Sequence, residues 1–194
     1  MKVIYIHGFN SAGYGDKVNK LKQFFGDENV LSLNLPYNPE KAISLLEFII
    51  RNIKNEEPLL LVGTSLGGAY TLYLSYRFDI PGVVINPSVK PSQDLKTEVG
   101  KQKNYKTDEE YEFKEEYLDF LKKIEVPLTE LQKIKDKLYI YLDEGDELLD
   151  SKKTAEYFKG FDVKMFPGGN HRFQHMDELL QDLKSKKEVR YGQG

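Results

Sequence analysis

The residues of this chain best suited to chemistry centre on a serine between two glycines. Residues 63–67 read GTSLG, directly after the apolar run Leu59–Val62 and before a helical pattern. This context matches the G-x-S-x-G nucleophile elbow, in which Gly63 and Gly67 leave room for a sharp turn from strand to helix. A glycine-rich turn with an incidental serine is the alternative, but the flanking strand and helix favour Ser65 as a nucleophile.

A serine hydroxyl is a good nucleophile only when a general base removes its proton, and the chain contains three histidines. His171 lies in the loop after the last predicted strand, where the chain order serine, acid, histidine places the base. His175 falls on the predicted final helix and is interpreted as a surface or packing residue. The spacing therefore predicts His171 as the base for Ser65.

The third member of such a site is a carboxylate that orients the imidazole. Five acids follow the penultimate predicted strand: Asp143, Glu144, Asp146, Glu147 and Asp150. Asp146 is favoured because Gly145 opens a loop at the carboxyl end of that strand. Asp150 can instead cap a helix that begins at Ser151, and Asp143 stays open as a further alternative.

The segment YIHGFN follows the first predicted strand and is similar to the His-Gly motif that precedes an oxyanion loop. The backbone N–H groups of Phe9 and Leu66 are the predicted oxyanion donors. His7, with Gly8, is interpreted as a structural imidazole that supports this loop without transferring protons.

Short apolar runs that alternate with helical patterns must position these residues. Six runs are predicted as strands: residues 3–6, 30–33, 59–62, 82–85, 138–142 and 163–166. This alternation predicts a parallel, doubly wound α/β sheet with helices on both faces. The candidate residues then lie at the carboxyl ends of strands, where such sheets bind ligands.

Residues 88–136 interrupt the alternation, and no strand is expected there. Two patterns typical of capping boxes, Thr107-x-x-Glu110 and Thr129-x-x-Gln132, predict helix starts. We expect a helical cap insertion above the carboxyl edge of the sheet, with a solvated helical decoration as the alternative. Its aromatic residues suggest an apolar acyl pocket, or they pack the cap itself: Tyr105, Tyr111, Phe113, Tyr117 and Phe120.

The composition is typical of one globular domain over residues 1–194, with a flexible tail expected at 185–194. The chain is 40% hydrophobic and 30% charged, and its formal net charge of -3 gives no attraction to nucleic acid or anionic membranes. The absence of cysteine excludes disulfides and thiolate metal sites. Neither a signal peptide nor a run of about 20 apolar residues is visible, so no membrane span and a cytoplasmic location are expected.

The glycine-rich segment GFNSAGYGDK, residues 8–17, lacks the features of a nucleotide-binding loop. Tyr14 follows Gly13 where a Walker A motif needs lysine, and no G-x-G-x-x-G is present. No metal box with two histidines is present either. We therefore expect neither a cofactor nor a metal.

Five segments carry a family resemblance, in chain order: YIHGFNSA, GTSLGGAYTLYL, VVINPSVKP, DEGDELLD and GGNHRFQHMDE. With them the chain resembles the YqiA/YcfP-like group of small α/β-hydrolases, which are predicted or demonstrated esterases. The resemblance implies a compact α/β-hydrolase with a six-stranded, mainly parallel sheet that lacks the first two antiparallel strands of larger relatives. It also implies a Ser–Asp–His triad on Ser65, Asp146 and His171.

The expected function is hydrolysis of a small-molecule carboxylic ester through an acyl-enzyme on Ser65. Two alternatives stay open. One is a thioesterase or an acyltransferase of the same mechanism, and the other is a non-catalytic binding protein on a hydrolase scaffold. The patterns determine neither the acyl length nor the oligomeric state.

Overall fold

The computed structural model describes residues 1–186, which form a six-stranded sheet, a separate two-stranded hairpin and the helices around them. The strands are β1 Lys2–Ile6, β2 Val30–Ser32, β3 Leu59–Thr64, β4 Gly82–Ile85, β5 Gly100–Lys103, β6 Glu110–Phe113, β7 Leu138–Asp143 and β8 Asp162–Phe166. The α-helices are α1 Asp16–Phe25, α2 Pro39–Ile53, α3 Leu66–Phe78, α4 Pro91–Asp94, α5 Glu115–Ile124, α6 Leu128–Leu131, α7 Ser151–Tyr157 and α8 Met176–Leu183.

The large sheet has the strand order β2-β1-β3-β4-β7-β8, and every neighbouring pair is parallel. The six predicted strands and the doubly wound architecture are thereby confirmed. Because all strands run in one direction, their carboxyl ends share one edge of the sheet. The loops that carry the candidate residues therefore converge there.

Helices cover both faces of the sheet, and the pleat of β3 shows how one strand serves both layers. Leu61 and Val62 are fully buried but belong to different apolar clusters. Val62 shares its cluster with Leu21 of α1, whereas Leu61 shares its cluster with Leu46 of α2. This alternation explains why the strand is apolar without interruption.

The prediction of a purely helical insertion over residues 88–136 is wrong in its middle part. The antiparallel hairpin of β5 and β6 lies between α4 and α5, with Gly100 opposite Phe113. Thr107 lies in the turn of this hairpin and does not start a helix, because the Asn104 side chain accepts hydrogen bonds from the next N–H groups and turns the chain. The two strands of the hairpin are mostly polar, so the sequence has no apolar run there that predicts them.

Two smaller expectations also need correction. His175 was predicted on the final helix, but α8 begins at Met176 and His175 is its N-cap. Thr129 lies inside α6, whose N-cap is Pro127. The tail predicted at 185–194 lies, from residue 187 onward, outside the described residues. Within residues 1–186, none of the helices has the length and apolar character that crossing a membrane requires.

We predict that Gly67→Ala destabilises the protein, although alanine is the better helix former by about 1 kcal/mol. A Cβ at this position would overlap the carbonyl oxygens of Ile6 and His7 and push α3 away from β1. The expected result is a free energy of unfolding lower by about 2 kcal/mol, measured by urea denaturation.

Ser75→Ala in the same helix is the matched control. The buried Ser75 hydroxyl has no hydrogen-bond partner within the described residues, so its removal should leave stability within about 0.5 kcal/mol or raise it. A Gly67→Ala protein as stable as the Ser75→Ala protein would show that α3 does not lie close to the end of β1.

Candidate active site

Ser65 lies on the turn between β3 and α3 in a strained backbone conformation. Its φ is 55° and its ψ is -117°, a combination that non-glycine residues rarely adopt. Its N–H donates to the carbonyl oxygen of Ile85 at 3.0 Å, which fixes the turn to the next strand. A Cβ on Gly63 would overlap the carbonyl oxygen of Gly67, so the elbow accepts only glycine there.

Ser65, His171 and Asp146 form a continuous hydrogen-bond chain. The Ser65 Oγ lies 2.9 Å from His171 Nε2, and His171 Nδ1 lies 2.9 Å from both carboxylate oxygens of Asp146. An ionised carboxylate can only accept, so Nδ1 carries the proton and Nε2 accepts from the serine hydroxyl. The unprotonated ring nitrogen, Nε2, thus faces the Ser65 hydroxyl.

The Asp146 side chain is held by its own loop. It is only 1% exposed, and its Oδ1 accepts from the N–H groups of Leu148 and Leu149, each at 2.9 Å. Two backbone donors compensate the cost of burying the carboxylate. They also fix the orientation in which the carboxylate meets the imidazole.

Asp150 and Asp143, the two alternatives weighed against Asp146, are engaged elsewhere. Asp150 is the N-cap of α7 and accepts from the N–H of Lys153 at 3.0 Å. Asp143 is fully buried and lies 2.6 Å from His175 Nδ1, while its second oxygen accepts from the N–H of Gln174 at 2.7 Å. Neither acid is hydrogen-bonded to His171.

The pairing of Asp143 with His175 was not expected from the sequence. His175 stacks on the ring of Phe166 and lies at the start of α8, so it does pack as interpreted, but its imidazole also binds a buried carboxylate. Asp143 additionally accepts from the N–H of Asn170 at 3.2 Å. This pair therefore shapes the loop that carries His171.

Asn86 is a second residue that the sequence analysis missed. Its side-chain NH₂ donates to the carbonyl oxygens of Asn170 at 3.1 Å and His171 at 3.2 Å, and its Oδ1 accepts from the N–H of Asp143. The signal that could have identified it is the Asn-Pro pair directly after β4. Asn86 links the end of β4 to the His171 loop.

The loop after β1 lies beside the serine. A Cβ on Gly8 would lie only 3.2 Å from Ser65 Cβ. Among residues 1–186, the N–H groups of Phe9 and Leu66 donate to no protein acceptor, so both remain available to a ligand. Their predicted part in an oxyanion hole stays a prediction.

His7 is buried and supports this loop through both ring nitrogens. The N–H of Leu35 donates to His7 Nε2 at 3.0 Å, so Nδ1 carries the proton and donates to the carbonyl oxygen of Gly8 at 2.8 Å. Burial lowers the pKa of His7 below its ordinary value of 6.5. Among residues 1–186, no hydrogen bond joins the His7 ring to Ser65, and its role as a structural imidazole stays a prediction.

The hairpin of β5 and β6 holds the far side of the same loop. The Phe9 ring packs edge-on against Phe113, with ring centroids 5.2 Å apart. Asn10 accepts from the Tyr111 hydroxyl at 2.6 Å and donates to Gln102 at 2.9 Å. The insertion therefore braces the backbone around Phe9.

The aromatic residues of the insertion do not form an acyl pocket. Four of them pack into the apolar cluster on the α2 and α3 side of the sheet: Tyr111, Phe113, Tyr117 and Phe120. Tyr105 alone lies in the wall of the cavity in front of Ser65. The spacing of the aromatic residues does not indicate which way their side chains point, because that direction depends on how the hairpin positions α5.

The cavity in front of Ser65 has a volume of about 1120 Å³ and includes His171 in its wall. Its wall is largely polar and charged on the side formed by α1 and the hairpin turn. Residues 1–186 contain no cluster of three or more histidine, aspartate or glutamate side chains arranged to hold a metal ion. The arrangement can accommodate a small organic molecule next to the Ser65 hydroxyl.

The sheet order and the elbow at Ser65 define the α/β-hydrolase fold. A structure of Est1E from Butyrivibrio proteoclasticus with ferulic acid bound is 14% identical with a TM-score of 0.69, covering 98% of this chain and 88% of that chain. An esterase of Pyrococcus furiosus is 17% identical with a TM-score of 0.62, covering 100% of this chain and 82% of that chain.

The chain itself belongs to UPF0227, described as an uncharacterised protein family, whose model matches residues 2–188. The YcfP protein of Salmonella paratyphi A, also a UPF0227 protein, is 27% identical over 191 residues, covering 95% of this chain and 98% of the relative. The resemblance to YcfP-like proteins is thereby confirmed.

The lowered pKa of His7 predicts a pH dependence of stability. Between pH 6.5 and the lower folded pKa, the unfolded chain binds a proton at His7 that the folded protein does not bind. The contribution of neutral His7 to the free energy of unfolding is therefore fully present above pH 6.5. It is lost progressively as the pH falls below 6.5. We expect wild type to lose more stability than His7→Gln between pH 7.5 and about 5.

Urea denaturation of both proteins at each pH measures the difference, in which contributions from groups common to both proteins cancel. Equal changes in the two proteins would show that His7 has the same proton affinity in the folded and unfolded chain.

Proposed function

We propose that this protein is a serine hydrolase that cleaves carboxylic esters through an acyl-enzyme on Ser65. The single observation that carries the proposal is the unbroken chain of hydrogen bonds from Ser65 Oγ through His171 to Asp146 at the wall of a cavity. Such a chain activates a hydroxyl that is otherwise a poor nucleophile.

In the first half-reaction, Ser65 Oγ attacks the ester carbonyl carbon and transfers its proton to His171 Nε2. The carbonyl oxygen becomes an oxyanion, which the N–H groups of Phe9 and Leu66 stabilise, each by about 3 kcal/mol. The tetrahedral intermediate then collapses, the ester C–O bond breaks, and His171 returns the proton to the leaving alkoxide. The alcohol departs and the acyl group stays on Ser65.

In the second half-reaction, water attacks the acyl carbonyl and gives one proton to His171. Collapse of the second intermediate breaks the bond to Ser65 Oγ, which takes the proton back from His171, and the carboxylic acid leaves. Throughout both steps Asp146 keeps the Nδ1–H tautomer and stabilises the imidazolium. No redox partner is needed for this chemistry.

Two alternatives share the site. A thioester substrate, or an alcohol in place of water, uses the same residues, so a thioesterase or acyltransferase stays a candidate. A binding protein without catalysis is disfavoured, because a binding role gives no reason to align Ser65 with His171. Esterase activity is favoured by analogy with the P. furiosus esterase and with Est1E, whose bound ferulic acid is a carboxylic acid of the kind that ester cleavage releases.

Ser65→Ala should reduce ester hydrolysis by at least about 10⁴-fold while the fold persists, because the alanine has no nucleophile. Turnover of a chromogenic ester and labelling by a fluorophosphonate probe measure the loss. Ser88→Ala is the control, since Ser88 also lines the cavity but donates to Asp94 and not to a histidine. Activity of Ser65→Ala within tenfold of wild type would contradict the assignment.

Asp146→Asn should lower kcat by about 10⁴-fold, because the amide can donate to Nδ1 and favours the wrong tautomer of His171. Asp150→Asn serves as the control and should change kcat less than about twofold, since Asp150 caps α7 and pairs with the exposed Lys153, and asparagine is also a good N-cap. The test is kcat for one ester with both variants, and the reverse ranking would move the orienting role to Asp150.

A further inference from the structure

Three positively charged side chains line the cavity in front of Ser65. Lys17 comes from the first turn of α1, Lys106 from the hairpin turn and Arg172 from the residue after His171. These residues are far apart in the chain, and only the fold brings them to one cavity. The whole chain has a net charge of -3, so three cations at one cavity are not a consequence of overall composition.

These three cations have no hydrogen-bond or ion-pair partner in the described part of the protein. Within residues 1–186, the side-chain nitrogens of Lys17, Lys106 and Arg172 form no hydrogen bond or ion pair with a protein group. Four acids share the wall, and each has a protein partner: Asp16 pairs with Lys20, Asp94 accepts from Ser88, Glu98 accepts from Gln102, and Glu147 accepts from the N–H of His171. The wall therefore holds both signs of charge, but only its cations lack a partner among the described residues.

The side chains of Lys17, Lys106 and Arg172 lie near one another. A Cβ on Gly15 would lie 3.7 Å from Lys106 Nζ, which puts that ammonium at the start of α1. Burial lowers the pKa of Lys17, Asp16 and Asp143 oppose this effect, and the charges of Lys106 and Arg172 lower it further. Lys17 is thus half-buried near two like charges and two carboxylates, and it has no direct partner that would compensate its burial, as a bound anion would.

The start of α1 adds to the same field. Its N-cap is Gly15, which has no side chain to accept from the first N–H groups of the helix. The first residues of α1, Asp16, Lys17 and Val18, line the cavity, so the positive end of the helix dipole lies near it. The helix start alone would not define a site, but here it reinforces three unpaired cations.

We infer that the substrate attacked by Ser65 carries an anionic group, a carboxylate or a phosphate, which Lys17, Lys106 and Arg172 bind. This inference rests on the proposed function and names its substrate class. Arginine and lysine nitrogens are the usual ligands of carboxylate and phosphate oxygens.

The test compares two esters that differ only at the far end of the acyl chain. 4-Nitrophenyl hexanoate ends in a methyl group, whereas mono-4-nitrophenyl adipate has a carboxylate in its place. We expect wild type to prefer the adipate, and the preference to shrink as salt screens the cations. In Lys17→Gln, Lys106→Gln and Arg172→Gln, the ratio of kcat/KM between adipate and hexanoate should fall by about tenfold each.

Lys20→Gln is the matched control. Lys20 lies on the same helix as Lys17, but it pairs with Asp16 and Asp177 and does not line the cavity. It should leave the ratio within about twofold of wild type. An equal fall in the control would show a general effect of net charge and would overturn the local site.

Hexyl phosphate tests the same cations without catalysis. Its binding to the Ser65→Ala protein, measured by calorimetry against hexanol, should be lost or weakened by about tenfold when Lys17→Gln is added. Failure of the proposed function would appear as no ester turnover and no fluorophosphonate labelling, while phosphate binding would still support the cation site. An unchanged adipate ratio in all three variants, together with no phosphate binding, overturns the inference.

Discussion

The constraint on which the rest of this structure depends is the close approach of α3 to the central strands at Ser65. Ser65 has a positive φ. The first turn of α3 lies so near the end of β1 that a Cβ on Gly67 would overlap the carbonyl oxygens of Ile6 and His7. This contact aims the serine side chain away from the sheet and places the start of a helix beneath it. The parallel sheet makes it possible, because β1 and β3 end at the same edge.

The histidine loop depends on a different kind of interaction. Asp143 is a fully buried carboxylate, which is costly unless donors satisfy it. His175 and the N–H groups of Asn170 and Gln174 provide these donors, and all three belong to the loop around His171. The cost of burying one charge is therefore offset by contacts that specify one conformation of the loop.

The insertion supports the third part of the site. Its hairpin contacts the segment after β1 through Phe9 and Asn10, and its turn contributes Lys106 to the cavity. The apolar side chains of the insertion face the protein interior, so the cavity keeps a charged wall. A segment that composition alone presents as an acidic, aromatic cap thus braces one loop and supplies a cation.

The sequence by itself determined the features that depend on neighbouring residues. The six strands follow from short apolar runs, and the elbow at Ser65 follows from glycines within two positions of it, since both are local properties of the chain. The sequence favoured Asp146 and offered Asp150 as a helix cap, but only the tertiary structure paired Asp146 with His171 and Asp143 with His175, because these histidines lie in a loop remote in sequence. The tertiary structure also decided that His175 binds a carboxylate, that the insertion contains a hairpin, and that Lys17 and Arg172 share a cavity. These outcomes depend on the positions of residues remote in sequence, which periodicity and spacing do not encode.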